Sequence, residues 1–182
     1  EDRFAGLCDQ AVQGRLDAAG LDLVDTATPS TADLIERARV AEAAALAVSG
    51  VTNTNGASAS AGHTDIVLMT SAGFSGEYSR TSHSVSASVV AGQGTAMQRD
   101  YDYHSAVHLS DLEDAATIGR RAGERTVARL NPTRPRTGRL PIVLDPRIST
   151  SLLGHLSGAI NGISIARGTS FLKDRLERKI ME

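Results

Sequence analysis

Two histidines at helical spacing are the first residues in this chain that could do chemistry. His104 and His108 stand four apart in HSAVH, with Asp100 and Asp102 just ahead of them. On a helix that spacing would put both imidazoles on one face, and a carboxylate could add a third ligand. A zinc ion held in this way would activate a water for hydrolysis. No Glu follows the first His, however, and the pair falls where a strand hands over to a helix, so the motif is a bare i,i+4 pair. His155 offers less. It lies between Gly154 and Leu156 with no carboxylate within four residues on either side, and one imidazole cannot hold a catalytic zinc that takes three protein ligands. With Leu152, Leu156 and Ile160 around it, His155 reads as a hydrogen-bonded packing residue of an apolar helix. His63 and His83 read as surface residues of a sheet. Cys8, in an apparent amphipathic helix with Phe4, Leu7, Val12 and Leu16, reads as a buried thiol rather than a nucleophile.

The elements that must position these residues follow from the periodicity. Phe4 to Leu16 has a helical pattern. Ser30, followed three residues on by Asp33, opens a second helix with a capping-box signature, and Leu34, Ile35, Ala38, Ala41, Ala45 and Leu46 recur on one face until Gly50. From Val51 to about His104 the period becomes two and the residues become Ser, Thr and Val, punctuated by glycines, which predicts three or four long antiparallel strands. In Ser82 to Val89, serines alternate with His83, Val85, Ala87 and Val89, so one sheet face is hydroxyl and the other apolar. The hydroxyl face is a solvated surface or a smooth wall against which a peptide could lie. Gly92-Gln93-Gly94 lacks a following helix and is a turn, not a phosphate loop. A charged helix runs from about Asp111 to Leu130, with Ser110 and Asp114 competing as its cap, and stops at Asn131-Pro132. Arg134, Arg136 and Arg139 lie in an exposed linker, a short strand is expected over Leu140 to Leu144, and Asp145-Pro146 opens a last helix. Gly154, Gly158 and Gly162 recur every four residues along it and would let another backbone approach closely. The fold class expected is α+β, an antiparallel meander sheet flanked by helices, with residues 1–182 forming one domain.

Several segments resemble the TldD/PmbA family, the modulators of DNA gyrase, on its PmbA-like or TldE-like branch. They are VTNTNGASAS from Val51, GFSGEYSRTSHSVSASVVAG from Gly73, MQRDYDYHSAVHLSDLED from Met97, AGERTVARLNP from Ala122 and SLLGHLSGAINGISIARGTSFLKDRLE from Ser151. The last two are the most specific, and the likeness runs from about Leu23 to Glu177. In the metal-bearing TldD-like branch, the region before a shared Gly-Thr-Ser carries His-Glu-x-x-x-His. Aligned on Gly168, Thr169 and Ser170, those positions fall on Leu153, Gly154 and Gly158 here, and His155 matches none of them. The resemblance therefore implies a metal-free subunit without catalytic residues or a cofactor of its own, paired with a TldD-like protease subunit that supplies zinc. It further implies action on peptides or small unfolded proteins, and a fragment whose C-terminal domain is absent. A regulatory binding protein acting on gyrase without proteolysis is the alternative implied by the family's other name. A self-contained hydrolase using His104 and His108 is the third.

Composition narrows the partners. With 19 basic and 21 acidic residues the net charge is −2, and no long run of either sign is present, which disfavours electrostatic capture of nucleic acid. Aromatic residues make up 3% and Trp is absent, so base-stacking platforms are not expected. One cysteine excludes an internal disulfide and fits a reducing compartment. No apolar run is long enough to span a membrane and no signal-peptide pattern begins the chain, so a cytoplasmic location is expected, with self-association possible when the chain is isolated.

Overall fold

The computed structural model describes residues 6–180. Two compact units divide the chain, one spanning Cys8–Arg134 and a smaller one that, among the described residues, takes in 6–7 and 135–180; the single domain expected over residues 1–182 stands beside that division. The larger unit is α+β, as its periodicity predicts. Helix α1 (Thr31–Leu46) leads into strand β1 (Val51–Met69), a long hairpin to β2 (Ser75–Ala91), then β3 (Gln98–Ala106) and helix α2 (Ala115–Ala128). The sheet is an antiparallel meander in the order β1-β2-β3.

Local chemistry places the helix boundaries. The Ser30 hydroxyl accepts the Asp33 N–H at 3.2 Å and an Asp33 carboxylate oxygen accepts the Ser30 N–H at 2.8 Å, so two of the otherwise orphaned donors of α1 are satisfied. Of the two candidate caps for α2 it is Asp114 that acts, accepting the Thr117 N–H at 2.9 Å. In the smaller unit α3 (Pro146–Ile160) begins with Pro146 in its first turn and the Asp145 carboxylate accepting the Arg147 N–H at 2.9 Å, and α4 (Gly162–Ala166) follows after Asn161.

Two expected elements do not form. Phe4 lies outside the described residues, and from residue 6 to Leu16 the chain holds no α-helix, only a turn of 3-10 helix at Gln10–Val12. Leu140 to Leu144 is irregular and carries no ladder, because a strand needs a neighbour to satisfy its backbone and none pairs with this one. Cys8, expected to be buried on that first helix, is exposed and free.

The core lies between the sheet and the first two helices. Val85, Ala87 and Val89 of β2 meet Ala41 and Ala45 of α1 and Ala115, Ile118 and Ala122 of α2. The alternation read from Ser82 to Val89 holds, with His83 belonging to the buried set and the serines facing outward. A core this rich in alanine works only if the backbones come close, and two glycines make that possible. A Cβ at Gly119 would lie 1.9 Å from the Ala41 carbonyl oxygen, and one at Gly123 would lie 2.7 Å from Val48 Cγ2 and 2.9 Å from the Ala45 carbonyl oxygen. Helix α2 therefore lies against α1 with glycine as the contact surface. Among the described residues no helix is long and apolar enough to cross a membrane.

Candidate functional site

Strand β3 and helix α2 interlock through charge. Alternate residues of a strand share a face, and residues four apart on a helix share another. Asp100 and Asp102 accordingly turn together toward α2, where Arg121, Arg125 and Arg129 form a row. The Asp102 carboxylate accepts from Arg121 Nε at 2.6 Å and from Arg125 Nη1, while Asp100 lies 3.5 Å from Arg129 Nη1. Arg121 also reaches Glu113 at 2.8 Å. Burial disfavours the Arg121 charge, but Asp102 and Glu113 more than restore it and raise its pKa above the ordinary value. Asp102 is 4% exposed, so its paired guanidinium groups are what make a buried carboxylate tolerable. These are the two aspartates that the sequence offered as metal ligands beside His104 and His108, and they serve as anchors of a helix.

The two histidines are not brought to one face. His104 lies within β3, its Nδ1 accepting the Glu113 N–H at 3.2 Å. His108 lies beyond the strand, with Nε2 3.2 Å from an Asp22 carboxylate oxygen and 3.3 Å from the Asp22 carbonyl, and Nδ1 3.9 Å from Asp25. Helical spacing would have aligned them, but an extended chain spreads residues four apart over about 13 Å.

At the end of β3 the sequence reading missed a cluster. The strand stops at Ala106, opposite His83, and the segment around Leu23–Asp25 then takes its place beside β2. Thr81 joins them: its N–H donates to the Leu23 carbonyl at 2.9 Å, its hydroxyl accepts the Asp25 N–H at 2.8 Å and donates to the Val107 carbonyl at 3.0 Å. The Asp25 carboxylate accepts the N–H groups of Leu109 at 2.6 Å and Ala27 at 3.0 Å, contacts that hold its pKa below the usual carboxylate range against the opposing effect of burial. His83 was expected at the surface and is 2% exposed instead. Its Nε2 is 3.2 Å from Asp25 but off a hydrogen-bond direction, so the contact is electrostatic. Burial lowers the pKa of His108, yet the Asp22 carbonyl and the carboxylates of Asp22, Asp25 and Asp111 outweigh it and the net shift is upward. Together these contacts tie the Asp22–Asp25 segment and the loop after β3 to the sheet. No periodic signal in the sequence marked the cluster, since Asp22-Leu23-Val24-Asp25 reads polar-apolar-apolar-polar and does not alternate as a strand would.

Helix α3 presents the positions that the family alignment singled out. Leu153, Gly154 and Gly158 are all exposed, and their side chains carry no atom that could coordinate a metal or accept a proton. His155 is exposed too, not packed as expected. Cβ atoms built at Gly154, Gly158 and Gly162 meet nothing within 4 Å, so the close backbone approach expected there is absent from the described residues. The Gly-Thr-Ser that follows is tightly held. Gly168 has φ 71°, and the Ser170 hydroxyl, buried, donates to the Ala159 carbonyl at 2.6 Å and accepts the Leu172 N–H at 3.0 Å. Among the described residues no group of three His, Cys, Asp or Glu side chains is placed to hold a metal. The donors that the fold brings together among the described residues do not fit a catalytic zinc, which takes three protein ligands.

The outer sheet face is a ladder of hydroxyls. Ser58 and Ser86 lie 2.9 Å apart and Ser60 and Ser84 2.8 Å apart, with the stacked rings of Tyr101 and Tyr103 beside them on β3.

Residues 25–130 match the sequence profile of the PmbA/TldA metallopeptidase central domain, and residues 137–182 that of the C-terminal domain of the same proteins. The chain belongs to the PmbA/TldD family. The matched domains divide close to the boundary between the two compact units, and residues 137–182 match the C-terminal domain that was expected to be missing. The chain is 37% identical over 181 residues to the metalloprotease PmbA of Escherichia coli, covering 99% of this chain and 40% of that protein. It is 32% identical over 182 residues to a PmbA homologue of Haemophilus influenzae, again covering 99% and 40%. The chain thus spans well under half the length of the curated relatives it matches. A Bacteroides thetaiotaomicron protein described as a modulator of DNA gyrase superposes with a TM-score of 0.84 at 30% identity, over 99% of this chain and 42% of that one. A Thermotoga maritima protein at 17% identity and TM-score 0.71, covering 81% and 34%, shares the fold.

Proposed function

We propose that this chain is part of the metal-free, non-catalytic subunit of a heteromeric cytoplasmic peptidase, in which a TldD-like partner holds the zinc and the general base. The substrates in this reading are peptides or small unfolded proteins. The observation that carries it is α3: the helix is intact and the family's Gly-Thr-Ser follows it beyond α4, yet the positions aligned with the metal motif are Leu153, Gly154 and Gly158. A helix kept without its ligands is suited to completing a chamber, since positioning a substrate contributes to rate independently of the bond-breaking step. The Ser58–Ser86 and Ser60–Ser84 ladder supports a wall role, because small hydroxyls neither pack a core nor obstruct a chain lying across them.

The test uses the full-length protein, a TldD-like partner and an unfolded peptide substrate. Neither zinc nor chelator-sensitive cleavage should accompany this protein alone, and cleavage should appear when the partner is added. Chelator-sensitive cleavage by this protein alone, at a rate that the partner does not alter, defeats the reading. The second reading, gyrase binding without proteolysis, is favoured by the Bacteroides relative's description. Gyrase retention by the full-length protein, with no cleavage in the presence of the partner, would select it.

A further inference from the structure

The Asp22–Asp25 segment is fastened to the sheet at one end and strained at the other. The central-domain match begins at residue 25, so the chain enters that domain through this segment. Few contacts fasten it. Thr81 donates its N–H to the Leu23 carbonyl at 2.9 Å and accepts the Asp25 N–H at 2.8 Å on its hydroxyl, and the Asp25 carboxylate accepts the Leu109 N–H at 2.6 Å. Two features work against closure. Asp22 has φ 47°, in the left-handed region that a residue with a Cβ adopts at a cost. His83, 2% exposed beside Asp25, leaves both ring nitrogens without a hydrogen bond, and a buried polar group in that state is better off in water. A segment held by few bonds against two such costs can open without unfolding the domain.

One titratable side chain is placed to tip that balance. His108 follows β3, with Nε2 3.2 Å from an Asp22 carboxylate oxygen and Nδ1 3.9 Å from Asp25. The charged and titratable groups that face it are Asp22 and Asp25 from the segment, Asp111 from the turn after β3 and, across Asp25, His83 from β2. We propose that His108 works as a proton-operated latch: protonated, it clamps the Asp22–Asp25 segment onto the end of the sheet, and neutral, it lets that segment open while the rest of the domain stays folded. The direction follows from the charges. Burial works against the imidazolium, but the Asp22 carbonyl and the carboxylates of Asp22, Asp25 and Asp111 outweigh it and raise the pKa above 6.5 in the closed state. In the open state the ring loses those partners and returns toward its ordinary value. The clamp is therefore complete below the open-state pKa and is lost as pH rises through the closed-state one. Asp25 does not cancel it, because the N–H groups of Leu109 and Ala27 hold its pKa below the usual carboxylate range and it stays ionised throughout. The inference does not rest on the subunit reading above.

Hydrogen–deuterium exchange of the full-length protein tests it, with each rate divided by the intrinsic rate at that pH. The readouts are the N–H groups of Thr81, Asp25 and Leu109, whose acceptors are Leu23, Thr81 and Asp25; those of Val85 and Ile118, in the core, are the reference and report that each variant is folded. Between about pH 6 and 8.5, protection at the three latch amides should fall about threefold, the scale of a partly exposed ion pair, while the reference amides hold. His108→Gln should show the weaker protection at both ends of that range, and His108→Lys, which keeps its charge throughout, the stronger. Asp22→Asn should shrink the pH dependence without abolishing it. Three results overturn the proposal: latch protection that does not change with pH, a change shared in full by Val85 and Ile118, or a pH dependence that survives in His108→Gln and so belongs to another group.

Discussion

Two helices in this chain carry glycines four residues apart, and they use them in opposite ways. In α2, Gly119 and Gly123 are buried against α1, and an added Cβ would collide with the Ala41 and Ala45 carbonyl oxygens. In α3, Gly154 and Gly158, with Gly162 just beyond the helix, look onto open space. The spacing is the same; the neighbour is not. A small-residue stripe records that a backbone can approach, and only the fold says whether one does. The difference extends to charge. Around α2 each arginine of the row meets a carboxylate of β3, whereas α3 bears no acidic residue and its one histidine is exposed.

The comparison is most severely tested at the crossing of α1 and α2. Gly119→Leu should destabilise the chain by about 3 kcal/mol or more, since a side chain beginning 1.9 Å from a backbone oxygen can be accommodated only by parting the helices. Thermal or denaturant unfolding measures it, and an unchanged midpoint would remove the close crossing from the account.

Next in size is the ionic row. Replacing Arg121 and Arg125 together by Met leaves Asp102 buried without its two cations and should cost about 2 kcal/mol, with each single change costing about 1 kcal/mol or less. The figure lies below that for a fully buried pair because the arginine side chains are 34% and 32% exposed and partly screened. A double variant no worse than either single one would mean that losing one arginine already forfeits the whole contribution, so that the two act on Asp102 as a unit.

The His108 contacts give a smaller, pH-dependent effect within the same unit. Its folded pKa is raised above 6.5, so its contribution is fully present below the unfolded value and is lost as pH rises through the folded one. Wild-type chain should therefore be more stable than His108→Gln at pH 6, with the difference vanishing at higher pH. Asp25 works in the other direction: its pKa is depressed from 3.8, and its contribution disappears as pH falls through the folded value. A wild-type advantage that grows between pH 6 and 9 would contradict the assignment of Asp22 and Asp25 as the partners.

The smallest effect belongs to α3. Gly158→Leu should leave the stability of this chain within about 0.5 kcal/mol or raise it slightly, because the site is open and leucine is the better helix former. A large loss of stability would place a neighbour against that face and make the two helices alike.

The sequence by itself determined the helix starts and the alternation of the sheet. Ser30 with Asp33, Asp114 with Thr117, and Asp145 with Arg147 are contacts across two or three residues, so their geometry is encoded where they occur. The Ser–Val alternation of β2 likewise sorts itself into an outer and an inner face. It also carried the family and the bare aligned positions on α3, because those depend on residue identity alone. What it could not decide were matters of who stands opposite. Phe4 to Leu16 has the pattern of a helix, but a short amphipathic segment needs a surface to bury its apolar face, and Leu140 to Leu144 needs a strand beside it. His83 was assigned to the surface and His155 to a packed position, and the structure reversed both, since burial is a property of the partner element and not of the residue. Only the tertiary structure joined Asp25 to His83 and His108, drew Asp100 and Asp102 toward the arginines of α2, and chose which pair of glycines would be closed, because each depends on segments far apart in the chain meeting at one place.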